Sequence, residues 1–454
     1  MSVDRGDRLV LDVTAMGQAG DGVARAPDGR TLFVRGALPG ERVRATVTEL
    51  RANFARARLD EVESASPERI SPPCPVFGRC GGCTFQHWTY DAELRHKQDR
   101  VVQALRRIGG FDAPPVDPVV PSPELYGYRA KASFAFGGTA DDPVLGFYEP
   151  GSHRVVPLER CAIQDDLISA VLGAALPAAE GLRLMPYQEE VDQGLVRHLV
   201  VRASRWQQAS AAMIVATTAD PRLATWAERL MGRVPTLAGV AVNVNPGRTN
   251  RIEGPVTHIL AGDAVLQEKI LGVPFRVAPD AFFQVNPVQV ERLYGLALEG
   301  MGPTRAETAY DLYAGVGTLA RLMADRATTV EAVEMNPSAV AEGRRNTVGS
   351  GVRFHVGAVE RVVEELVKHA ARPDVVVLDP PRSGVRPEVL AVLLAAAPQR
   401  IVYVSCRPET LARDLGILKP SYALRTVAPV DMFARSDHVE AVAVVERKGS
   451  AETS

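Results

Sequence analysis

The residues of this chain best placed to do chemistry lie in its last third, each at the end of an apolar run. Asp311 and Asp379 follow short apolar stretches, in Asp311-Leu-Tyr313-Ala-Gly315-Val-Gly317 and Asp379-Pro-Pro-Arg382. Cys406 follows another, in Ser405-Cys406-Arg407-Pro408, and Glu440 precedes the apolar run 441–445. In open parallel sheets, ligands bind outside the carboxyl ends of the strands. A cysteine at a strand end is often an inert small hydrophobe, but a helix opening at Pro408 would favour the thiolate through its dipole. Glu440 is a candidate general base, its ordinary reading being a solvated residue at a strand start. Gly315 and Gly317 let a turn pass close to a ligand at the mouth of a helix. Glu334 closes the next run, where a carboxylate can hold ribose hydroxyls. Gly315-x-Gly317-x-x-Ala320 also satisfies a dinucleotide fingerprint, although the leading Asp311 favours S-adenosylmethionine over a nicotinamide cofactor. A second group lies far upstream. Cys74, Cys80 and Cys83 share one glycine-bearing loop and Cys161 could be a fourth ligand, a set that suits zinc or an iron–sulfur cluster equally well by spacing.

The elements that would position these residues fall into three parts. Residues 1–65 carry short strand-like runs at 9–16, 31–34, 42–50 and 55–62, separated by turn residues at Gly20-Asp-Gly22, Asp28-Gly29 and Pro39-Gly40, which predicts a small β-barrel of the oligonucleotide-binding type. Six Arg against two Glu between Arg35 and Arg58 are compatible with a phosphate-facing side, or simply with a solvated face. Residues 66–285 read as a central α+β domain holding the cysteines, with a helix over 91–110 that could pack on the following domain and strands at 132–136, 144–148, 199–202, 211–216 and 240–244. Residues 286–454 read as a doubly wound, Rossmann-like α/β domain. Buried strands are expected at 309–312, 330–333, 352–356, 375–378 and 401–404, with Asn286-Pro287, Asn336-Pro337 and Arg407-Pro408 opening helices. The tail 447–454 is expected to fray.

Composition limits the choices. At 454 residues, 46% hydrophobic and 23% charged, the chain is globular and multidomain. Its longest apolar run, 389–397, is too short to cross a bilayer, and the first residues show no leader pattern, so a cytoplasmic protein without a membrane partner is expected. A net charge of −2 announces no chain-wide nucleic-acid footprint. Only six of the 52 basic residues are lysine, a bias that either phosphate recognition or a GC-rich genome would produce.

One reaction would use all of the chemistry-bearing parts. C5 of uracil is too poor a nucleophile to attack a sulfonium methyl directly. A thiolate added at C6 turns the ring into an enolate whose C5 can attack, and a base must then remove the C5 proton so that the thiol is eliminated. The chain resembles the RNA uracil-5-methyltransferase family over nearly its whole length. The resemblance rests on Phe282-Phe-Gln284-Val-Asn286, Asp311-Leu-Tyr-Ala-Gly-Val-Gly317, Asp379-Pro-Pro-Arg382, Ser405-Cys-Arg-Pro-Glu-Thr-Leu-Ala-Arg-Asp-Leu415 and His438-Val-Glu440. It implies Cys406 as nucleophile and Glu440 as base, with Gln284, Tyr313, Glu334 and Asp379 around cofactor and uracil. It also implies a TRAM RNA-binding module over residues 1–65, with Gly36-Ala-Leu-Pro-Gly-Glu41 as its signature, and a 4Fe–4S cluster on Cys74, Cys80, Cys83 and Cys161. Because bacterial relatives with both module and cysteines generally act on large-subunit RNA, a monomeric enzyme acting on 23S ribosomal RNA is expected, with transfer RNA as the alternative. Departures from the family pattern are Arg407 after the cysteine, Ala434 and Ser436 where Pro and Thr are usual, and Thr318 and Ala358 where some relatives carry Asn. A catalytically silent RNA-binding protein and a nicotinamide-dependent oxidoreductase with an iron–sulfur centre are the competing classes.

Overall fold

The computed structural model describes residues 3–249, 251–369 and 371–449, so most of the tail expected to fray lies outside the described residues. Residues near the N-terminus form a six-stranded sheet in the order Arg8–Asp12, Arg42–Leu50, Phe54–Ser64, Thr31–Arg35, Asp21–Arg25, Ala15–Met16. Its two outermost strands are consecutive in the chain, so the segment between them closes the sheet into a barrel. The Val13 amide donates to Glu41 and the Thr14 amide to Val23 across that seam. Alternation puts Leu11, Val34, Val43, Ala45 and Val47 inside. Asp21–Arg25 is a strand where turn chemistry was expected. Gly22 serves close packing there: a Cβ would lie 2.7 Å from the Ala37 carbonyl oxygen. The arginines between Arg35 and Arg58, compatible by sequence with a phosphate-facing side or a solvated face, are largely engaged by the barrel's own acids. Arg42 and Arg44 pair with Glu63, Arg51 with Glu49, Arg56 with Asp21 and Arg58 with Asp60.

A second, seven-stranded sheet runs Val256–Gly262, Leu237–Val244, Ala209–Ala216, Val196–Ser204, Lys131–Gly138, Pro143–Tyr148, Val155–Pro157. All neighbours are antiparallel except the parallel pair Ala209–Ala216 and Leu237–Val244. Helices Asp166–Ala179 and Pro221–Arg233 bury Ile168, Leu172, Leu223 and Trp226 against it.

The third sheet carries the chemistry-bearing residues. Its strands are β1 (Ala306–Leu312), β2 (Ala327–Glu334), β3 (Val352–Val356), β4 (Val375–Leu378), β5 (Arg400–Ser405), β6 (Tyr422–Val430) and β7 (Glu440–Arg447), in the order β3-β2-β1-β4-β5-β7-β6. The first five are parallel and β7 runs antiparallel between β5 and β6. β6 was not anticipated, because Arg425, Thr426 and Pro429 interrupt its apolar pattern, which an edge strand tolerates. Alternate residues of β1 and β4 face two separate cores, Ala309, Val375 and Val377 on one side and Tyr310, Val376 and Leu378 on the other. Asn286 and Asn336 cap their helices as expected, accepting from the amides of Gln289 and Ser338.

Two upstream segments join this third layer. Helix α1 (Tyr90–Arg107) buries Val101, Ala104 and Leu105 with Leu411 and Ala412, and the hairpin Leu266–Ile270 with Val273–Val277 shares the core of Val290 and Leu293. The shared core thus reaches back beyond the boundary at 286 read from the sequence. Among the described residues no helix is long and apolar enough to cross a membrane.

Candidate active site

The strand order reverses between β1 and β4. Chain leaving these strands departs to opposite sides and opens a crevice. Asp311, near the end of β1, is 1% exposed, and neither carboxylate oxygen has a hydrogen-bond partner. Burial pushes its carboxyl up to about 8, with the charge of Asp379 adding to the effect. After it, Tyr313 adopts a left-handed backbone (φ 71°), pinned by donation from its amide to Val333. Gly315 is also left-handed and has no atom within 4 Å of a notional Cβ, so the backbone lies open to a ligand. Gly317 is needed for packing instead, since a Cβ there would meet the Phe354 ring at 2.7 Å. Glu334, ending β2, accepts from the amides of Gly315 (3.0 Å) and Asn336 (2.7 Å), which ties the glycine turn to the second strand.

Asp379 follows β4, its carboxyl pushed up to about 7 by burial. Glu440 opens β7, is 4% exposed, and is pushed up to about 8 by burial and then by Asp379, against the pull of Arg382. Cys406 follows β5 in a turn held by Ser405, whose hydroxyl accepts from the Arg407 amide. The expectation that a helix dipole would favour its thiolate is corrected. Burial, then Glu440 and Asp379, push the thiol up to about 11, with Arg382 opposing.

Gln284 is buried in a loop held from two directions: the Arg202 guanidinium donates to Ala281 (2.7 Å) and the Ala130 amide to Val285 (2.6 Å). Beside it stands Tyr294, on the helix Pro287–Gly300. Its phenol is pushed far up by burial and then by Asp379 and Asp311, with the Gln284 side chain opposing. Tyr294 lies on an apolar helix face, and nothing in its spacing separates it from a core aromatic. The structure therefore gathers Asp311, Asp379, Glu440, Cys406 and Gln284, and adds Tyr294 and Arg382. Tyr313 is not in that group. Its ring packs toward the opposite core, where burial, Glu360 and Asp414 push its phenol up to about 12.

The cysteines are closer to this site than their numbering suggests. Cys83 and Cys161 pack with Tyr128 and Ile163 around Ala434, six residues before Glu440. Burial, then the charges of Cys161, Cys80 and Cys74, push the Cys83 thiol up to about 12; burial drives the Cys161 thiol up to about 11. The charges of Cys74 and Cys80 thus bear on both Cys83 and Cys161, but among the described residues no group of three or more His, Cys, Asp or Glu side chains is arranged to hold a metal ion.

Residues 264–448 match the family model described as tRNA (Uracil-5-)-methyltransferase, and residues 3–59 match the TRAM domain. The chain is 40% identical over 449 residues to an uncharacterized RNA methyltransferase of Gloeobacter violaceus, covering 98% of this chain and 97% of the other. It is 38% identical over 453 residues to one of Halalkalibacterium halodurans, covering 98% of each. The chain belongs to the RNA uracil-5-methyltransferase family. A solved member, the tRNA (uracil-54, C5)-methyltransferase of Pyrococcus abyssi in complex with S-adenosyl-L-homocysteine, is similar at TM-score 0.78 and 25% identity, over 96% of this chain and 99% of that one. The RNA uracil-5-methyltransferase fold thus accounts for all three sheets, and the protein is an S-adenosylmethionine-dependent RNA methyltransferase carrying a TRAM domain.

Proposed function

We propose that this enzyme methylates C5 of a uridine through a covalent adduct between Cys406 and C6. The observation that carries the reading is the meeting of Cys406, Glu440 and Asp379 at one sheet edge, each within electrostatic reach of the others. Bound S-adenosylmethionine supplies a methyl group made electrophilic by a sulfonium. The donor set suits that cation: Asp311 is buried with no charged partner, Asp379 lies beside it, and the Gly315 backbone is open. Gln284, Asp311, Gly315, Glu334 and Asp379 are the residues that would hold it, with Gly317 letting the turn pack against Phe354. Tyr313 belongs there through its backbone turn.

The Cys406 thiol is protonated at neutral pH, so its proton passes to the Asp379 carboxylate as sulfur adds to C6, which leaves the Glu440 carboxylate free for the last step. The C5=C6 electrons become an enolate, C5 takes the methyl group, and the Glu440 carboxylate then removes the C5 proton. The C–H electrons re-form C5=C6 as the sulfur–C6 bond breaks and the thiolate leaves. RNA carrying 5-fluorouridine at the target should trap the wild-type enzyme covalently, because fluorine cannot leave as a proton would. Trapping by Cys406→Ala would sink the assignment.

Cys74, Cys80, Cys83 and Cys161 are proposed to hold a 4Fe–4S cluster. A zinc tetrahedron sets its sulfurs about 3.8 Å apart, from bonds of about 2.3 Å. A cluster with one thiolate per iron accepts a wider set. Anaerobically purified protein should contain iron and acid-labile sulfide, and stoichiometric zinc without sulfide would refute the cluster. The proposed RNA is 23S ribosomal RNA, argued from the pairing of TRAM domain and cysteines. The likeness to the Pyrococcus abyssi enzyme supports the second reading, transfer RNA. Mapping 5-methyluridine in both RNAs from wild-type and deletion cells decides between them: loss confined to transfer RNA overturns the ribosomal choice and leaves the chemistry standing.

A further inference from the structure

The segment that delivers Glu440 to the sheet edge is fastened along its length by residues 84–128. The Asp431 carboxylate accepts from Tyr90 Oη and Lys97 Nζ (2.7 Å each), and Lys97 also donates to the Phe433 carbonyl. Tyr128 Oη donates to the Ala434 carbonyl, Thr84 Oγ1 to the Asp437 carboxylate, and Arg100 to the Asp437 carbonyl.

At the centre of this brace is Arg435. Its backbone is left-handed (φ 68°), a conformation that a non-glycine residue keeps only where its surroundings over-determine it. Its amide donates to Glu93 (2.8 Å), and its carbonyl accepts from the successive amides of Thr84 (2.9 Å) and Phe85 (3.0 Å). Its side chain is 4% exposed, donates to the Trp88 carbonyl (2.8 Å), and lies over the rings of Tyr90 and Tyr126. Thr84 directly follows Cys83, and the residue before Arg435 is the Ala434 against which Cys83 and Cys161 pack. The turn that ends in Cys83 and the loop that leads to Glu440 are therefore one hydrogen-bonded unit.

We infer that Arg435 is a positioning residue for Glu440, joining the order of the cysteine-bearing turn to the geometry of the base. This rests on the reading of Glu440 as the group that removes the C5 proton. If Glu440 shifts, its carboxylate no longer reaches that proton, and the step that suffers is the last one, in which the C–H electrons re-form C5=C6 and expel the Cys406 sulfur. Attack by Cys406 and methylation do not use the loop and should survive.

The test uses full-length protein and unmodified target RNA. It measures kcat, KM for RNA, and the fraction of enzyme found covalently on RNA in a denaturing gel at steady state. Arg435→Met should lower kcat between about 10-fold and 100-fold, the scale of a misplacement near 1 Å, with RNA KM within about twofold. It should also accumulate methylated adduct, as expected of Glu440→Gln, with partial rescue in Arg435→Lys. Thr84→Val, which removes one hydroxyl of the brace, should do the same more weakly and decides the matter if Arg435→Met fails to fold. A wild-type kcat in these variants overturns the inference, as does a fall in kcat without adduct, which marks a loss of folded enzyme. If Glu440→Gln itself accumulates no adduct, the reading of Glu440 has failed. If it does and Arg435→Met does not, only the positioning role has failed.

Discussion

Two groups of buried charge meet near Glu440 and differ in whether the chain balances them. Lys97, Glu93, Asp431 and Arg435 are all buried and number two cations and two anions. The Glu93 carboxyl is pushed up to about 7 by burial, and Lys97 draws it back. Asp311, Asp379 and Glu440 are three acids, and among the described residues the cation that bears on them is Arg382, which acts on Glu440 and is exposed. Their carboxyls stand at about 8, 7 and 8. Charge removed from water needs a partner of opposite sign. Where the chain supplies that partner, the result is a brace that holds two segments together. Where it withholds the partner, the acids stay partly protonated and are ready for a cationic ligand. Imbalance of buried charge, more than burial itself, separates the site from the scaffold.

The largest expected effect lies beside the unbalanced acids. Cys406→Ala should lower turnover on the order of 10^6-fold, as loss of a nucleophile does elsewhere, with thermal melting unchanged. A residual rate near wild type would place the nucleophile elsewhere. Next comes the balanced group. Lys97→Met leaves Glu93 and Asp431 buried with Arg435 alone, and should cost about 3–5 kcal/mol in urea unfolding. A variant as stable as wild type would show that the network is not a brace. Neutralising an acid of the other group should have the opposite sign. Asp311→Asn should make the ligand-free protein at pH 8 more stable by about 1 kcal/mol, while weakening S-adenosylmethionine binding about tenfold. Loss of stability there would erase the contrast.

The smallest effect is in pH. Because the three acids titrate above the ordinary carboxylate range, they contribute most stability to the ligand-free protein below about pH 4, and this contribution is lost as pH rises through 7 to 8. A cationic ligand requires them ionised, so its binding expels protons. Affinity for S-adenosylmethionine should therefore rise a few-fold per unit between about pH 5.5 and 7.5. Calorimetry in buffers of different ionisation enthalpy counts the protons, and a pH-independent affinity with none released would contradict the assignment of the ligand to these acids.

The runs that became β1 to β5 were legible because parallel strands covered on both faces are apolar throughout, and Asn286-Pro287 and Asn336-Pro337 cap helices through contacts two or three residues long. Cys406, Asp311 and Asp379 could be picked out because each stands at or just past the carboxyl end of such a strand, and Glu440 because it opens the apolar run of the antiparallel β7. Asp21–Arg25 was hidden by Gly22, which looks like a turn residue until the Ala37 carbonyl beside it is known. Tyr294 carries no local mark at all. Its role in the site depends on Gln284, Asp311 and Asp379 arriving from other elements.

Residue type and short-range spacing determined which reactive groups exist and at which strand ends they stand, since strand and cap preferences act over a few residues. Only the packed fold decided which groups meet and which protons they hold. The local reading favoured a Cys406 thiolate from one helix end, whereas burial beside Glu440 and Asp379 keeps the proton on sulfur. Likewise, the turn ending in Cys83 meets Arg435, about 350 residues away. Coulomb and desolvation energies follow distances and burial, and those are set when distant segments pack, not along the chain.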